Sequence, residues 1–157
     1  MAHENKKSII EQREVGTHTQ SFQKALRASL REDSNVVLIG ELRDYESFSL
    51  ALTAAETGHL ILSTVHTSGV ENAINRIIDS FPSDQQNQIR AQLSESLKAV
   101  MWQNLVKRKN KPGRMAAMEI MFQNKAISNL IRKGHIHQIP SIVETRLKDG
   151  TYVRFDD

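Results

Sequence analysis

The chain has 157 residues, of which 39% are hydrophobic and 25% are charged, a balance that is typical of one globular domain and excludes a disordered polypeptide. Its longest aliphatic run, from Val36 to Ile39, is far shorter than the roughly 20 apolar residues that a membrane-spanning helix needs. Cysteine is absent, which excludes disulfide bonds and cysteine-based metal or nucleophile sites.

The net charge of +3 comes from 21 Lys and Arg residues against 18 Asp and Glu residues. Five of the basic residues lie between Lys107 and Arg114, so the rest of the chain has 16 basic against 18 acidic residues and is slightly acidic. A short basic run of this kind is usually solvated surface, and only 5% of residues are aromatic, which leaves few rings for base stacking. Nucleic acid is therefore not the expected partner, although binding of a phosphate backbone or of acidic lipid by this run stays open.

The first third of the chain alternates between strand and helix patterns. Residues 8–15 mix apolar and polar positions and predict a strand, and apolar residues four apart between residues 19 and 33 predict a helix. The aliphatic run within residues 35–41 predicts a strand that is buried on both faces of a parallel sheet.

A strand, helix and strand unit is predicted between residues 35 and 66. Asp44 can cap a helix from Tyr45 to Thr57, and Gly58 can end it. A second buried strand is expected over residues 59–66, so the unit has the form of a right-handed parallel crossover.

Two further helices are expected next. Ser68 can cap a helix that Pro82 terminates, and Ser83 with Gln86 has the spacing of a capping box. The second helix is expected to be the longest, with an apolar stripe that continues to Leu105.

Residues 106–122 read as two short strands around a turn at Pro112 and Gly113, which predicts a hairpin with a basic tip. A helix is expected from Lys125 to Lys133, with Gly134 as its stop. Beyond Pro140 no element is assigned. Alternating strands and helices of this kind predict an α/β protein.

Polar residues follow both predicted parallel strands, where ligands bind in open parallel sheets. Glu41 follows the first strand, and a carboxylate there can hold Mg²⁺ through water or orient a water for attack on a phosphoryl group. His66 ends the second strand and Thr64 lies beside it, and both can contact phosphate oxygens. The alternatives stay open: Glu41 can begin an ordinary loop paired with Arg43, and His66 can be a structural histidine.

Other chemistries lack support in the sequence. The histidines have no recognised metal-ligand spacing, and there is no GxSxG nucleophile elbow. The phosphate-binding loop GxxxxGK followed by Ser or Thr does not occur in these 157 residues.

The segment LREDSNVVLIGELRD, residues 30–44, resembles the signature of the bacterial type II/IV secretion ATPases. The segment 51–82 resembles the stretch that holds the His box of that family, and the segments 92–108 and 114–121 follow in the expected order. AISNLIRKG, residues 126–134, is similar to the AIRNLIRE motif of the retraction branch, the PilT-like twitching-motility ATPases. The resemblance covers roughly residues 5–145.

The resemblance implies a RecA-like P-loop ATPase core, here the carboxyl-terminal portion of its parallel sheet with a β-hairpin and C-terminal helices. It implies ATP and Mg²⁺ as cofactors, with Glu41 as an atypical Walker B carboxylate and His66 as the His-box histidine near the γ-phosphate. The motif residues that it assigns to retraction are Ala126, Ile127, Asn129, Leu130, Ile131 and Arg132. It also implies a homo-hexamer at the cytoplasmic face of the inner membrane, where a pilus platform protein is the partner.

Several positions depart from the family pattern. Ser34 and Asn35 replace a Pro-Asp pair, and Ser128 replaces the arginine of the retraction motif. The start of the chain resembles the stretch that follows the family's Asp box, so the chain is expected to be a C-terminal fragment without Walker A and Asp box. Residues 1–122 would then be a partial ATPase domain and residues 123–157 a C-terminal helical segment, and negligible hydrolysis is expected from the chain alone.

A second function from another class stays open. The chain can be a non-catalytic interaction module that docks on full-length ATPase subunits or on the pilus platform protein. The surviving helices and the patch from Ala126 to Arg132 motivate this alternative.

Overall fold

The structure, a computed structural model, describes residues 3–109, 111–141 and the backbone of residues 152–153. The chain forms two compact units, Met1–Ser63 and Thr64–Asp157. The functional division predicted between residues 122 and 123 stays a prediction. No helix among the described residues is long and apolar enough to cross a membrane.

The first unit is an α/β arrangement of two helices and two strands. In chain order these are α1 (Phe22–Ser29), β1 (Val36–Ile39), α2 (Tyr45–Glu56) and β2 (Leu60–Ser63). The strands pair in parallel, with Val36 opposite Leu60 and Ile39 opposite Ser63, which confirms the predicted parallel crossover. A small core of Leu26, Ile39 and Ala51 lies where α1, β1 and α2 meet.

The predicted burial of both sheet faces is wrong for this chain. Val36 and Leu38 are 54% and 72% exposed, and their partners Leu60 and Leu62 are also exposed. Side chains alternate between the two faces of a strand, so these four residues share one face while Ile39 lies on the other. The first unit packs its helices against that second face alone.

The strand predicted over residues 8–15 is also wrong. Residues 9–14 of the described chain form neither helix nor strand, and Val15 makes an isolated bridge to Thr19. The side chain of Ile9 is 87% exposed. A strand needs a neighbouring strand for its backbone hydrogen bonds, and apolar alternation alone does not supply one.

Helix α2 begins and ends where its sequence signals predict. The side chain of Asp44 accepts a hydrogen bond from the Ser47 amide at 2.9 Å, which is the geometry of an N-cap. The helix ends before Gly58, whose φ of +100° lies in the region that favours glycine.

The second unit contains the remaining elements. These are α3 (Val70–Asp79), α4 (Gln86–Ser96), β3 (Ala99–Lys107), β4 (Arg114–Phe122), α5 (Lys125–Lys133), a short 3-10 helix (Ile136–Gln138) and β5 (Tyr152–Val153). Strands β3 and β4 form an antiparallel hairpin that pairs Ala99 with Phe122 and Lys107 with Arg114, and β5 pairs antiparallel with β4. The hairpin is confirmed, but its first strand begins seven residues earlier than expected.

The long helix predicted to continue to Leu105 is therefore wrong beyond Ser96. The stripe of Leu97, Met101 and Leu105 fits a helical period of four and also the alternation of a strand, because every fourth residue lies on one face in both. The pairing with β4 selects the strand.

Two predicted caps are also absent from the described structure. Helix α3 begins after Gly69 rather than at Ser68, whose carbonyl oxygen instead accepts from the Asn72 side chain at 2.6 Å. Helix α4 begins after Gln85, so Ser83 and Gln86 do not form the capping box.

Helix α5 has the predicted bounds. The side chain of Asn124 accepts from the amides of Ala126 and Ile127 at 2.9 and 3.0 Å, and Gly134 ends the helix in the left-handed region at φ +73°. The core of the second unit forms around this helix, α3 and α4. Its most buried side chains are Ile74, Ile78, Met121, Ile127, Ile131 and Ile139.

We expect Asn124→Ala to lower the free energy of unfolding by about 1 kcal/mol, because two amides in the first turn of α5 lose their acceptor. Chemical denaturation followed by circular dichroism measures the change. Gln85→Ala is the matched control, since Gln85 precedes α4 without a capping side-chain bond in the described structure. Equal losses in the two variants would contradict the assignment of Asn124 as a cap.

Candidate functional site

Strands β1 and β2 of the first unit end at the same edge of their sheet. Because Ile39 pairs with Ser63 in a parallel register, the chain leaves both strands at the same edge. Gly40 and Glu41 follow the first strand and Thr64 follows the second. In open α/β sheets this carboxyl edge is where ligands bind.

Glu41 lies two residues beyond β1 with its side chain 21% exposed. Its Oε2 atom accepts a hydrogen bond from the Nε of Arg43 at 2.6 Å. This is the ion pair that the alternative interpretation of Glu41 predicts. The Arg43 side chain is 78% exposed, and exposed ion pairs contribute little to stability. A ligand can therefore replace Arg43 at this carboxylate with little loss of stability.

Thr64 and His66 lie in the second unit, in the loop between β2 and α3. Both side chains are exposed. The loop ends at Gly69, whose φ of +89° allows the sharp entry into α3. The hydroxyl and the imidazole thus stand at a surface that solvent or a ligand can reach.

The carboxylate of Glu41 fits a magnesium ion held mostly by water and phosphate oxygens. Among the described residues, no group of three or more His, Asp or Glu side chains is arranged to hold a metal ion. Magnesium commonly takes only one or two protein carboxylates together with water and substrate phosphates, and Glu41 supplies one carboxylate.

The residues of the predicted retraction motif divide between two faces of α5. Ile127, Leu130 and Ile131 are buried in the core of the second unit. Asn129 and Arg132 are exposed, and Ala126 is half-buried. The apolar positions thus hold the helix in place, and the polar positions face outward.

Ser94 links α4 to α5 and was not found by sequence reasoning. Its side chain is buried, and its carbonyl oxygen accepts from the Ser128 hydroxyl at 2.7 Å and from the Gln123 side chain. The carbonyls of a helix's last turn lack partners within the helix. Gln123 and Ser128 therefore cap the end of α4 from outside the helix. No local sequence pattern around Ser94 predicts such a contact.

Arg132 makes a second link between the same helices. Its Nε donates a hydrogen bond to the Ser94 hydroxyl oxygen at 3.3 Å, and its Nη2 donates one to Oε1 of Glu95 at 3.3 Å. Ser128 is the residue that departs from the family motif, and its hydroxyl donates a hydrogen bond to the Ser94 carbonyl oxygen of α4.

Comparison with known proteins gives one family and several similar chains. The family model described as type II/IV secretion system protein matches residues 3–149. A twitching motility protein of Neisseria gonorrhoeae is 50% identical over 148 residues, which are 94% of this chain and 40% of that protein. The type IV pilus retraction ATPase PilT of Pseudomonas aeruginosa is 48% identical over 143 residues, 91% of this chain and 41% of that protein.

Solved structures with the same fold include a crystal structure of the pilus retraction motor PilT with bound ADP. It superposes with a TM-score of 0.85 at 41% identity and covers 99% of this chain and 47% of that one. The ATPase DotB of Legionella pneumophila gives a TM-score of 0.79 at 28% identity, over 95% of this chain and 40% of that one. The chain thus spans about two fifths of the length of the curated relatives it matches.

We expect Ser128→Ala to lower the free energy of unfolding by about 1 kcal/mol, since one hydrogen bond between α5 and α4 is lost. Ser96→Ala is the matched control, because the Ser96 hydroxyl bonds the Gln92 carbonyl oxygen within its own helix. Urea denaturation of both variants measures the difference. A Ser128→Ala variant as stable as Ser96→Ala would show that the interhelical bond contributes no more than a bond within one helix.

Proposed function

Because the chain belongs to the family of type II/IV secretion system proteins, we propose that it is part of an ATP-hydrolysing motor that drives type IV pilus retraction in twitching motility. The observation that carries this proposal is the identity of about one half, over more than nine tenths of the chain, to a twitching motility protein and a pilus retraction ATPase. A structural neighbour that binds ADP supports nucleotide as the ligand.

Glu41 is the residue that we assign to the chemistry of hydrolysis. Its carboxylate lies beyond the carboxyl end of β1 and is half-buried, with an exposed arginine as its ion-pair partner. A carboxylate in this position can orient a water molecule toward the γ-phosphate or hold the water shell of Mg²⁺. Release from Arg43 would remove the ion-pair contact at Oε2.

His66 and Thr64 are the residues that we assign to phosphate contacts. Both are exposed at the loop that follows β2, and both carry groups that donate hydrogen bonds to phosphate oxygens. Mg²⁺, when bound with ATP, would neutralise the charge that develops on the transferred phosphoryl group. Hydrogen-bond donors that contact the phosphate oxygens would stabilise the same developing negative charge.

The exposed polar residues of α5 are assigned to retraction rather than to nucleotide chemistry. Asn129 is exposed on a helix whose apolar face is fixed in the core, and Arg132, also exposed, contacts Ser94 and Glu95 of α4. We place the motor at the cytoplasmic face of the inner membrane as a homo-hexamer or with full-length ATPase subunits, and with a pilus platform protein as its partner.

The function is tested by replacing the matching segment of the Pseudomonas aeruginosa PilT with residues 3–141 of this chain. We expect the hybrid to hydrolyse ATP and Glu41→Gln to lower its kcat at least ~100-fold, the range of a lost catalytic carboxylate. Glu46→Gln is the control, because Glu46 is an exposed carboxylate in the first turn of α2.

The chain alone is expected to hydrolyse ATP at a negligible rate, since its sequence has no GxxxxGK loop. Hydrolysis by the purified chain that Glu41→Gln abolishes would overturn this expectation. A hybrid in which Glu41→Gln and Glu46→Gln are equally active would overturn the role of Glu41.

A second candidate function is a non-catalytic module that docks on full-length ATPase subunits or on the pilus platform protein. The exposed polar face of α5 favours this function. The apolar face of the helix is buried in the core, so the helix is firmly packed and Asn129 is exposed on its other face.

We expect the immobilised chain to capture purified full-length ATPase at micromolar concentration, and Asn129→Ala to weaken capture. Gln88→Ala on α4 is the matched control, since Gln88 is also an exposed amide side chain. Lack of capture, or equal loss in both variants, would count against the module.

A further inference from the structure

Two polar residues at the end of α4 bind one edge of the Arg132 guanidinium on α5. The Ser94 hydroxyl donates a hydrogen bond to the Ala91 carbonyl oxygen at 2.7 Å, so its lone pairs can accept from the Nε of Arg132. Oε1 of Glu95 accepts from the Nη2 of the same side chain. The guanidinium is therefore bound at two points, both of them on α4.

This link contributes more to the orientation of Arg132 than to stability. The side chains of Arg132 and Glu95 are 54% and 74% exposed, and exposed ion pairs contribute little to the free energy of folding. Because the donors of a guanidinium form a rigid planar fork, two acceptors on one edge fix the direction in which the group points. Ser94 and Glu95 thus direct the Arg132 side chain toward α4.

The acceptors belong to a face of α4 that packs closely on α5. Arg90 and Ser94 are four residues apart, so they lie on the same face of α4. A Cβ at Gly134 would lie 3.4 Å from the Nε of Arg90, so this face also approaches the residue that ends α5. The bonds to Arg132 are thus part of a packed contact between the two helices.

Asn129 differs from Arg132 in its contacts. The two residues are three positions apart, so their side chains are neighbours on the surface of α5. In the part of the chain that the structure describes, the Asn129 side chain is exposed and makes no hydrogen bond. Because its neighbour Arg132 is directed toward α4, the Asn129 amide keeps its donors and its acceptor for another molecule.

We propose that Glu95 and Ser94 are positioning residues for pilus retraction, although both lie on α4 and outside the motif on α5. They hold Arg132 against α4, and Asn129 is then the polar side chain of the motif that contacts a partner. The inference rests on the proposed motor function and deepens it, because it divides the polar residues of α5 into one that is held and one that binds.

A charge exchange in the hybrid of Pseudomonas aeruginosa PilT with residues 3–141 tests the proposal, in a strain without its own PilT. We expect Glu95→Arg and Arg132→Glu each to lower the retraction frequency at least about fivefold, within the range of coupling between side chains in contact. The double exchange should restore retraction to within about twofold, because the opposite charges again face each other.

ATP hydrolysis by the same purified hybrids separates positioning from damage to the fold. We expect its kcat and KM to be unchanged in all three variants, because neither residue lies at the edge where β1 and β2 end. Asp79→Arg is the matched control, since Asp79 is an exposed carboxylate at the end of α3, and it should leave retraction unchanged.

The outcomes distinguish this inference from the motor function. Undiminished retraction in Glu95→Arg, or a double exchange that does not restore it, would show that Arg132 acts without α4 and would overturn the inference alone. An unmodified hybrid that neither hydrolyses ATP nor retracts pili would overturn the proposed function, on which the inference rests.

Asn129→Ala tests the other half of the division. We expect it to lower the retraction frequency of the hybrid, and we expect Glu95→Arg to add no further loss in that background, since the positioned contact is already absent. Full retraction in Asn129→Ala, or losses that multiply in the double variant, would overturn the assignment of Asn129.

Urea denaturation of the full chain tests the link itself, independently of the motor. Glu95→Ala, Arg132→Ala and the double variant form a double-mutant cycle. We expect a coupling between about 1.5-fold and fivefold in the unfolding equilibrium constant, the range of exposed ion pairs. Additive effects of the two substitutions would overturn the proposal.

Discussion

The parallel pairing of β1 with β2 is the constraint on which the first unit depends. Parallel neighbours cannot be joined by a tight turn, so the chain must return along the sheet, and α2 is the element that does so. Its cap at Asp44 and its stop at Gly58 fix how far the return extends. The register that results ends both strands at the same sheet edge, and Glu41 follows β1 there.

Helices with start and stop residues at their ends could be predicted from the sequence, and strands defined by pairing with a distant strand could not. Helix α5 has Asn124 before it, apolar residues on one face and Gly134 after it, and its predicted bounds match the structure. The segment 99–107 has a periodicity that a helix and a strand share, and only the ladder with β4, which is a contact between distant residues, decides between them. The same limit explains residues 8–15, where alternation exists without a partner strand.

The candidate site shows the same division. Glu41, Thr64 and His66 were predicted as strand-end residues, because an aliphatic run that stops at a polar side chain is visible in the sequence. The pairing of Glu41 with Arg43 was an alternative that only the structure could select. Ser94 could not be predicted, since Gln123 and Ser128, which bond its backbone carbonyl, are 29 and 34 residues away, and Arg132, which contacts its hydroxyl, is 38 residues away.

The link at Ser94 has a mechanical consequence. Ser128 and Gln123 hold the end of α4 from the first turn of α5 and the segment before it, and Arg132 holds it again one turn later. A force applied to the outward face of α5 would therefore be transmitted to α4 through several hydrogen bonds in parallel, and sliding between the helices would require breaking them together. The pair would act as one stiff lever, and any displacement of the polar face of α5 would move the far end of α4 with it.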